Sequence, residues 1–149
     1  MERIESFLGL SAPLTGFSRI ELLGSGMAAE YLCTLEATLP AGVCNELLSA
    51  WDARPAGSDP EAAAAQLLND PKLGPVAQHV ILLWYCGSWT ALPDAWRSAY
   101  GAAPLDVSRV VSAEAYQAGL QWLAAGAHAP GSRQQGFAAW SMPPEGSDL

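Results

Sequence analysis

The segment from Val76 to Tyr85 limits the possible folds most, because it is apolar on nearly every side apart from Gln78 and His79. Pro75 precedes it, and Gly87 follows it, where a left-handed glycine would end a helix. A helix of this kind must be covered on most sides, either at the centre of a bundle or by another chain. Because about 20 apolar residues are needed to span a bilayer, the sequence predicts no transmembrane segment.

Hydrophobic spacing predicts four further helices around this one. Apolar residues recur three and four positions apart from Ile20 through Met27 and Tyr31 to Leu35, which is typical of an amphipathic helix. A serine before an acidic or helix-forming run, as at Ser58 and Ser112, indicates a helix start. The predicted helices therefore cover about 18–37, 40–51, 58–68, 75–87 and 112–126.

The remaining segments are predicted to lack regular structure. Pro13 and Gly16 break any helical pattern in residues 1–17, so we expect an extended N-terminal arm with apolar anchors. Residues 88–104, rich in Trp, Pro and Gly, predict a long ordered loop with a short turn near 93–96. The tail after Gly126 predicts an irregular arm. The expected fold is all-α: one domain over 1–149, with about five helices in a compact bundle, extended N- and C-terminal arms and a long aromatic loop.

Composition points to a covered surface. Half of the residues are hydrophobic and only 15% are charged, whereas about 25% is usual. Little charge is therefore available to coat a free surface, and we expect contact with a partner. The net charge is −8 and no basic stripe occurs, so nucleic acid is not an expected partner.

No residue of this chain is assigned a catalytic, cofactor-binding or metal-binding role. Cys33, Cys44 and Cys86 form no CxxC pair, so we expect free buried thiols, with a Cys33–Cys44 bridge or a bridge to a partner as the alternatives. His79 and His128 have no sequence neighbour that would activate them. The carboxylates of Asp59 and Glu61 stand where a helix start needs them as caps.

The stretch from Gly24 to Ala29 fits the GxGxxA pattern of a dinucleotide-binding turn. That fold also needs a second β-strand, and residues 35–51 contain only one β-branched apolar residue, Val43. We therefore expect the two glycines to allow close packing or a local break within the first helix. A small nucleotide-using enzyme stays as the last of three hypotheses.

Three segments carry a resemblance to a known family. They are LSAPLTGF at 10–17, followed by Tyr31-Leu32; ILLWYCG at 81–87; and VVSAEAYQAGLQW at 110–122, followed by His128-Ala129-Pro130, Gly136-Phe137 and Trp140-x-x-Pro143-Pro144. In order and spacing they resemble the small (gamma) subunit of FAD-dependent sugar and alcohol dehydrogenase complexes of the sorbitol, fructose, glucose and glycoside-3-dehydrogenase type.

The resemblance implies an accessory role. In that family, flavin and sugar chemistry belong to a large subunit of the glucose–methanol–choline (GMC) oxidoreductase type. This chain would hold neither and would stabilise the large subunit and help it mature. An iron–sulfur cluster in the partner and a cytochrome c electron acceptor are further candidates. The periplasm is implied, with the cytoplasm as the alternative, because residues 1–5 carry no export signal.

Combined with the aromatic content, the resemblance predicts an apolar partner interface. A stand-alone helical binding or scaffold module is the second hypothesis. The predicted interface residues are Phe17, Trp84, Tyr85, Trp89, Tyr116, Trp122, Phe137 and Trp140.

Overall fold

A computed structural model describes residues 2–127, which form helices packed around one central helix and a short two-stranded ribbon. The all-α prediction is confirmed, but the described part of the chain contains more helices than the five expected. The elements are α1 (Glu2–Thr15), α2 (Arg19–Gly24), α3 (Ala28–Thr38), α4 (Val43–Asp52), α5 (Pro60–Leu68), α6 (Leu73–Cys86), β1 (Ser88–Trp89), α7 (Asp94–Tyr100), β2 (Arg109–Val110), α8 (Ala113–Ala118) and α9 (Leu120–Ala124).

Helix α6 is the centre of the bundle, as its apolar sequence predicts. It packs against α1, α3, α4, α5, α8 and α9. Val76, Val80 and Leu83 are completely buried, and Trp84 is nearly so. Gly87 ends the helix with φ +64°, in the left-handed conformation that the sequence analysis expected.

The prediction of an extended N-terminal arm is wrong, because residues 2–15 form α1. Phe7, Leu8 and Leu10 are fully buried, so one side of this helix belongs to the core. Pro13 lies in the last turn, where the loss of one backbone hydrogen bond costs little against that burial. Gly16, at φ +81°, takes the left-handed conformation just after the helix.

The helix predicted over 18–37 is two helices, α2 and α3. Gly26 adopts φ +75° between them, and the backbone turns there. No atom lies within 4 Å of a Cβ built on Gly24 or Gly26, so neither glycine is needed for a close contact, and only Gly26 adopts the left-handed conformation at the break. As a result Ile20 points outward, 81% exposed, while Leu22 enters the core.

The aromatic segment after α6 is more regular than the predicted loop. Strands β1 and β2 pair antiparallel, with Ser88 opposite Val110, and α7 occupies the place of the expected short turn. Trp96 on α7 is buried, and its Nε1 donates to the carbonyl of Lys72 at 2.7 Å. Tertiary burial of the tryptophans therefore organises a segment that lacks a helical period.

The helices predicted over 40–51 and 58–68 are present with shifted starts. Helix α4 begins at Val43, after left-handed Gly42, and buries the predicted stripe from Val43 to Trp51. Asp59, one residue after the predicted Ser58, caps α5 by accepting from the Glu61 amide. Ser112 caps α8 as predicted, with its Oγ accepting from the Ala115 amide at 3.0 Å.

Candidate partner interface

The C-terminal end of α6 joins the first two segments of the resemblance. The Tyr85 hydroxyl donates to the carbonyl oxygen of Thr15 at 2.5 Å. The rings of Phe17 and Tyr85 pack edge to face, with 6.0 Å between their centroids. The turn that follows α1 is therefore held against the last turn of α6.

The third segment packs on the same end through two glycines. A Cβ on Gly87 would lie 2.3 Å from the Ala115 carbonyl oxygen, and a Cβ on Gly119 would lie 2.6 Å from the Tyr85 carbonyl oxygen. The Val111 amide also donates to the Gly87 carbonyl at 2.9 Å. Only glycine allows backbones to approach this closely, so both glycines of the resembling motifs have a physical role in the fold.

Gly119 also breaks the predicted fifth helix into α8 and α9. Its φ of −54° and ψ of 130° are extended, so the chain bends and keeps both short helices against α6. At this elbow the Tyr116 and Trp122 rings meet edge to face, 5.5 Å apart, and Trp122 Nε1 donates to the Tyr116 carbonyl at 2.8 Å. Gly126, at φ +69°, follows α9, which agrees with the predicted end.

Four of the predicted interface residues therefore gather at one end of the bundle, which we call the aromatic end. They are Phe17, Tyr85, Tyr116 and Trp122, and all four are partly buried. The glycine contacts and hydrogen bonds hold the backbone around these rings.

Two other predicted interface residues lie inside the chain's own core. Trp84 and Trp89 are each 1% exposed. The Trp84 ring packs on Phe7 and on Tyr31, at centroid distances of 5.9 and 4.9 Å. In this conformation they offer no surface to a partner. Phe137 and Trp140 lie outside the described residues.

The sequence analysis missed three exposed apolar side chains in and before β2, of which Val110 lies near the aromatic end. Leu105, Val107 and Val110 are each about half exposed, at 52%, 53% and 53%. The β1–β2 pairing places Val110 opposite Ser88, directly after Gly87. The available signal was the alternation of Leu105, Asp106 and Val107, which turns the carboxylate inward and both apolar neighbours outward.

A buried carboxylate stiffens this apolar segment. Asp106 is 1% exposed, and its Oδ1 accepts from Trp89 Nε1 at 2.7 Å and from the Leu92 amide at 3.0 Å. Its Oδ2 lies 3.6 Å from Arg97 Nε. Arg109 donates to the carbonyls of Leu105 and Val107 at 2.7 and 3.1 Å, so the loop that carries these side chains is tied on both sides.

The three cysteines are not bridged to one another, and only Cys86, between Tyr85 and Gly87, belongs to the aromatic end. Cys44 is buried as predicted, whereas Cys33 is exposed, against the prediction, and Cys86 is intermediate. Burial raises the pKa of the Cys44 thiol to about 11, although the nearby Arg3 guanidinium opposes this. Burial likewise raises the pKa of Tyr31.

The other candidate motifs have structural roles within residues 2–127. The stretch from Ile20 to Leu23 before the GxGxxA pattern is helical, so the strand that a dinucleotide fold requires is missing there. His79 is buried, and its Nδ1 lies 2.6 Å from the Pro75 carbonyl. His128 lies beyond the described part.

Within the described ranges, no three His, Cys, Asp or Glu side chains are grouped so that they could hold a metal ion. Nor does any helix there combine the length and apolarity needed to cross a membrane. Comparison with known proteins found no match to this chain among family models, curated proteins or solved structures.

Proposed function

We propose that this chain is a non-catalytic small subunit that binds and stabilises the large FAD-containing subunit of a sugar or glycoside dehydrogenase and supports its maturation. The observation that carries the proposal is the convergence of the three resembling segments. They are far apart in sequence, yet their aromatic and glycine residues meet at the aromatic end.

The geometry of this end suits a stable protein contact. Aromatic side chains contribute large contact areas, and a few of them usually dominate binding. Because the Gly87 and Gly119 contacts fix their backbones, little further conformational entropy is lost on binding. Val110, which pairs opposite Ser88 directly after Gly87, adds exposed apolar surface near this end. An obligate interface of this type would bury over ~2,000 Å² in total.

The division of labour follows from the resemblance. FAD would belong to the large GMC-type subunit, where an iron–sulfur cluster is a further candidate, and a cytochrome c would accept electrons through the complex. The periplasm is the proposed compartment, with the cytoplasm as the alternative. This chain would slow the unfolding of the large subunit and would not contact the substrate.

Tagged purification from the native host tests the proposal. We expect a yellow, flavin-containing protein to be recovered in a one-to-one ratio with this chain. The double variant Tyr116→Ala/Trp122→Ala should reduce the recovered flavin at least about tenfold, since each removed anchor contributes about 1–2 kcal/mol or more to binding. Leu23→Ser, a change of an exposed residue on α2, is the matched control and should recover the wild-type amount.

Two results would contradict the proposal. One is a large flavoprotein that stays soluble and flavin-loaded when this chain is deleted. The other is unchanged recovery with the Tyr116→Ala/Trp122→Ala variant, provided that circular dichroism shows the variant to be folded.

A stand-alone helical binding or scaffold module is the second candidate. It is favoured by the burial of Trp51, Trp84, Trp89 and Trp96 within the chain's own core, which supplies a hydrophobic interior without a partner. Under this hypothesis the isolated chain is a monomer by sedimentation and melts in one cooperative transition. Under the small-subunit hypothesis the isolated chain associates or is lost to proteolysis.

A further inference from the structure

A groove on a different face of the molecule carries an inference that is independent of the proposed function. It lies between the end of α4, the turn over residues 53–59 and the outer side of α5, and its volume is about 410 Å³. Small-molecule sites commonly enclose about 300–1,000 Å³ with mainly apolar walls and a few polar groups. Trp51, Ala63 and Leu67 supply apolar wall here.

Arg54 is the positive group of this groove. Its guanidinium carbon lies 4.0 Å from the centroid of the Trp51 ring, and its Nη1 donates to the Trp51 carbonyl at 3.0 Å. Among the residues whose side chains the structure describes, no carboxylate lies within ion-pair distance of it, whereas Arg3, Arg19, Lys72 and Arg97 each have at least one. Nε and Nη2 of Arg54 are thus available as donors in a planar fork that matches a carboxylate.

A second donor lies in the wall. Ser58 lines the groove, and its Oγ is buried without a hydrogen-bond partner among the described residues. A buried hydroxyl without a partner costs free energy. A ligand oxygen at this position would remove that cost, with a small rearrangement of the turn.

Two aspartates limit the charge that the groove accepts. Asp59 and Asp70 also line it, and the Oδ1 atom of each accepts hydrogen bonds from backbone amides at the start of a helix. Asp59 accepts from the Glu61 amide, and Asp70 accepts from the amides of Lys72 and Leu73 at 2.8 Å. Those amides offset part of their charge. The remaining repulsion disfavours a dianion such as a phosphate ester, while a single carboxylate can pair with Arg54.

We propose that this groove binds a small organic monocarboxylate with a flat apolar body, the carboxylate on Arg54 and the body against Ala63 and Leu67, beside the Arg54 guanidinium that covers the buried Trp51 ring. The size of the groove admits one or two rings. Nothing in this assignment depends on the aromatic end, so the two proposals fail or succeed separately.

Nuclear magnetic resonance titration of the full chain with three probes tests the assignment. We expect phenylacetate to shift the Trp51 indole and Arg54 Nε signals with saturation below about 10 mM, an affinity typical of a weak small-ligand site. 2-Phenylethylamine, which has the opposite charge, and phenyl phosphate, a dianion, should bind at least about tenfold more weakly.

Three variants complete the test. Arg54→Gln should weaken phenylacetate binding at least about tenfold, and Ser58→Ala by about threefold, because a charged and a neutral hydrogen bond differ in strength. Arg19→Gln, which removes a surface arginine paired with Glu5 elsewhere, is the control and should leave binding unchanged. The absence of saturable shifts, equal binding of all three probes, or unchanged binding in a folded Arg54→Gln variant would overturn the proposal.

Discussion

Asp106 connects three parts of the chain through one buried carboxylate. It accepts hydrogen bonds from Trp89 and Leu92 and lies beside Arg97. Asp106→Ala would leave two buried N–H donors without partners, and we expect a loss of about 3 kcal/mol in the free energy of unfolding, measured by urea denaturation. Asp94→Ala removes a fully exposed carboxylate 4.0 Å from the same arginine and should change little. Similar losses for both variants would contradict the role given to Asp106.

The cysteines differ in their reactivity because they differ in burial. With a pKa of about 11, the Cys44 thiol is ionised to only about one part in a thousand at pH 8. We expect iodoacetamide at pH 8 to label exposed Cys33 within minutes and to leave Cys44 unlabelled in the folded chain, as measured by mass spectrometry of peptides. Urea-unfolded chain is the control and should be labelled at both. Rapid folded-state labelling of Cys44 would contradict the burial.

The same pKa has a consequence for stability. Since the folded pKa of Cys44 is raised above its ordinary value of 9.0, the folded state holds the thiol proton more tightly than the unfolded state. The contribution is fully present below pH 9 and is lost as the pH rises from 9 through 11. Cys44→Ala should therefore flatten the fall in melting temperature over that window, which alkaline thermal scans would measure.

At the scale of elements, two closely packed glycines hold the α8–α9 elbow against α6. Gly87→Ala adds a Cβ 2.3 Å from a backbone oxygen and also requires a left-handed alanine. We expect a loss of about 3 kcal/mol or more in the free energy of unfolding.

Gly26→Ala separates the cost of the close backbone contact from the cost of a left-handed alanine. Its φ is +75°, similar to that of Gly87, yet no atom lies within 4 Å of the added Cβ. This variant should lose only the free energy needed to hold alanine in the left-handed conformation, about 1 kcal/mol. Equal losses for both alanine variants, measured by the same denaturation, would show that close approach to α8 contributes nothing.

Elements with a strong local period could be predicted, and those shaped by tertiary contacts could not. The apolar run of α6 and the Val43–Trp51 stripe of α4 indicated their helices directly. Helix α1 is not predicted because Pro13 and Gly16 interrupt the pattern, although the burial of Phe7, Leu8 and Leu10 outweighs that break in the fold. The segment with Trp89 and Trp96 has no local helical period, because the burial that orders it depends on residues distant in sequence.

The difference between local pattern and tertiary contact also explains which residues of the candidate site could be predicted. The motifs of the resemblance predict Phe17, Tyr85, Tyr116 and Trp122 as interface residues, and the fold brings these four rings to one end of the bundle. Which aromatic rings face outward depends on packing, and for that reason Trp84 and Trp89 were included although they are buried. The alternation around Asp106 could have indicated that Val107 is exposed, whereas the exposure of Val110 depends on the pairing of β1 with β2, which local sequence does not show.

At the scale of the whole molecule, an acidic surface surrounds a few exposed apolar side chains. The net charge of −8 at pH 7 keeps copies of the chain apart. Near the isoelectric point, at about pH 4.5, this repulsion vanishes, and Leu105, Val107 and Val110 can then bring chains together. We therefore expect light scattering to increase from pH 7.5 to pH 4.5 at constant protein concentration.

The double variant Val107→Ser/Val110→Ser identifies the surface responsible. Both residues are half exposed, so their loss should change the melting temperature little while reducing the scattering at pH 4.5 severalfold. Ile20→Ser/Leu23→Ser removes a larger exposed apolar area on α2 and is the control. If both double variants reduce scattering equally, association depends on total apolar exposure. If only Val107→Ser/Val110→Ser reduces scattering, the surface formed by Val107 and Val110 mediates the association, because both variants keep the same charge and the control removes more exposed apolar area.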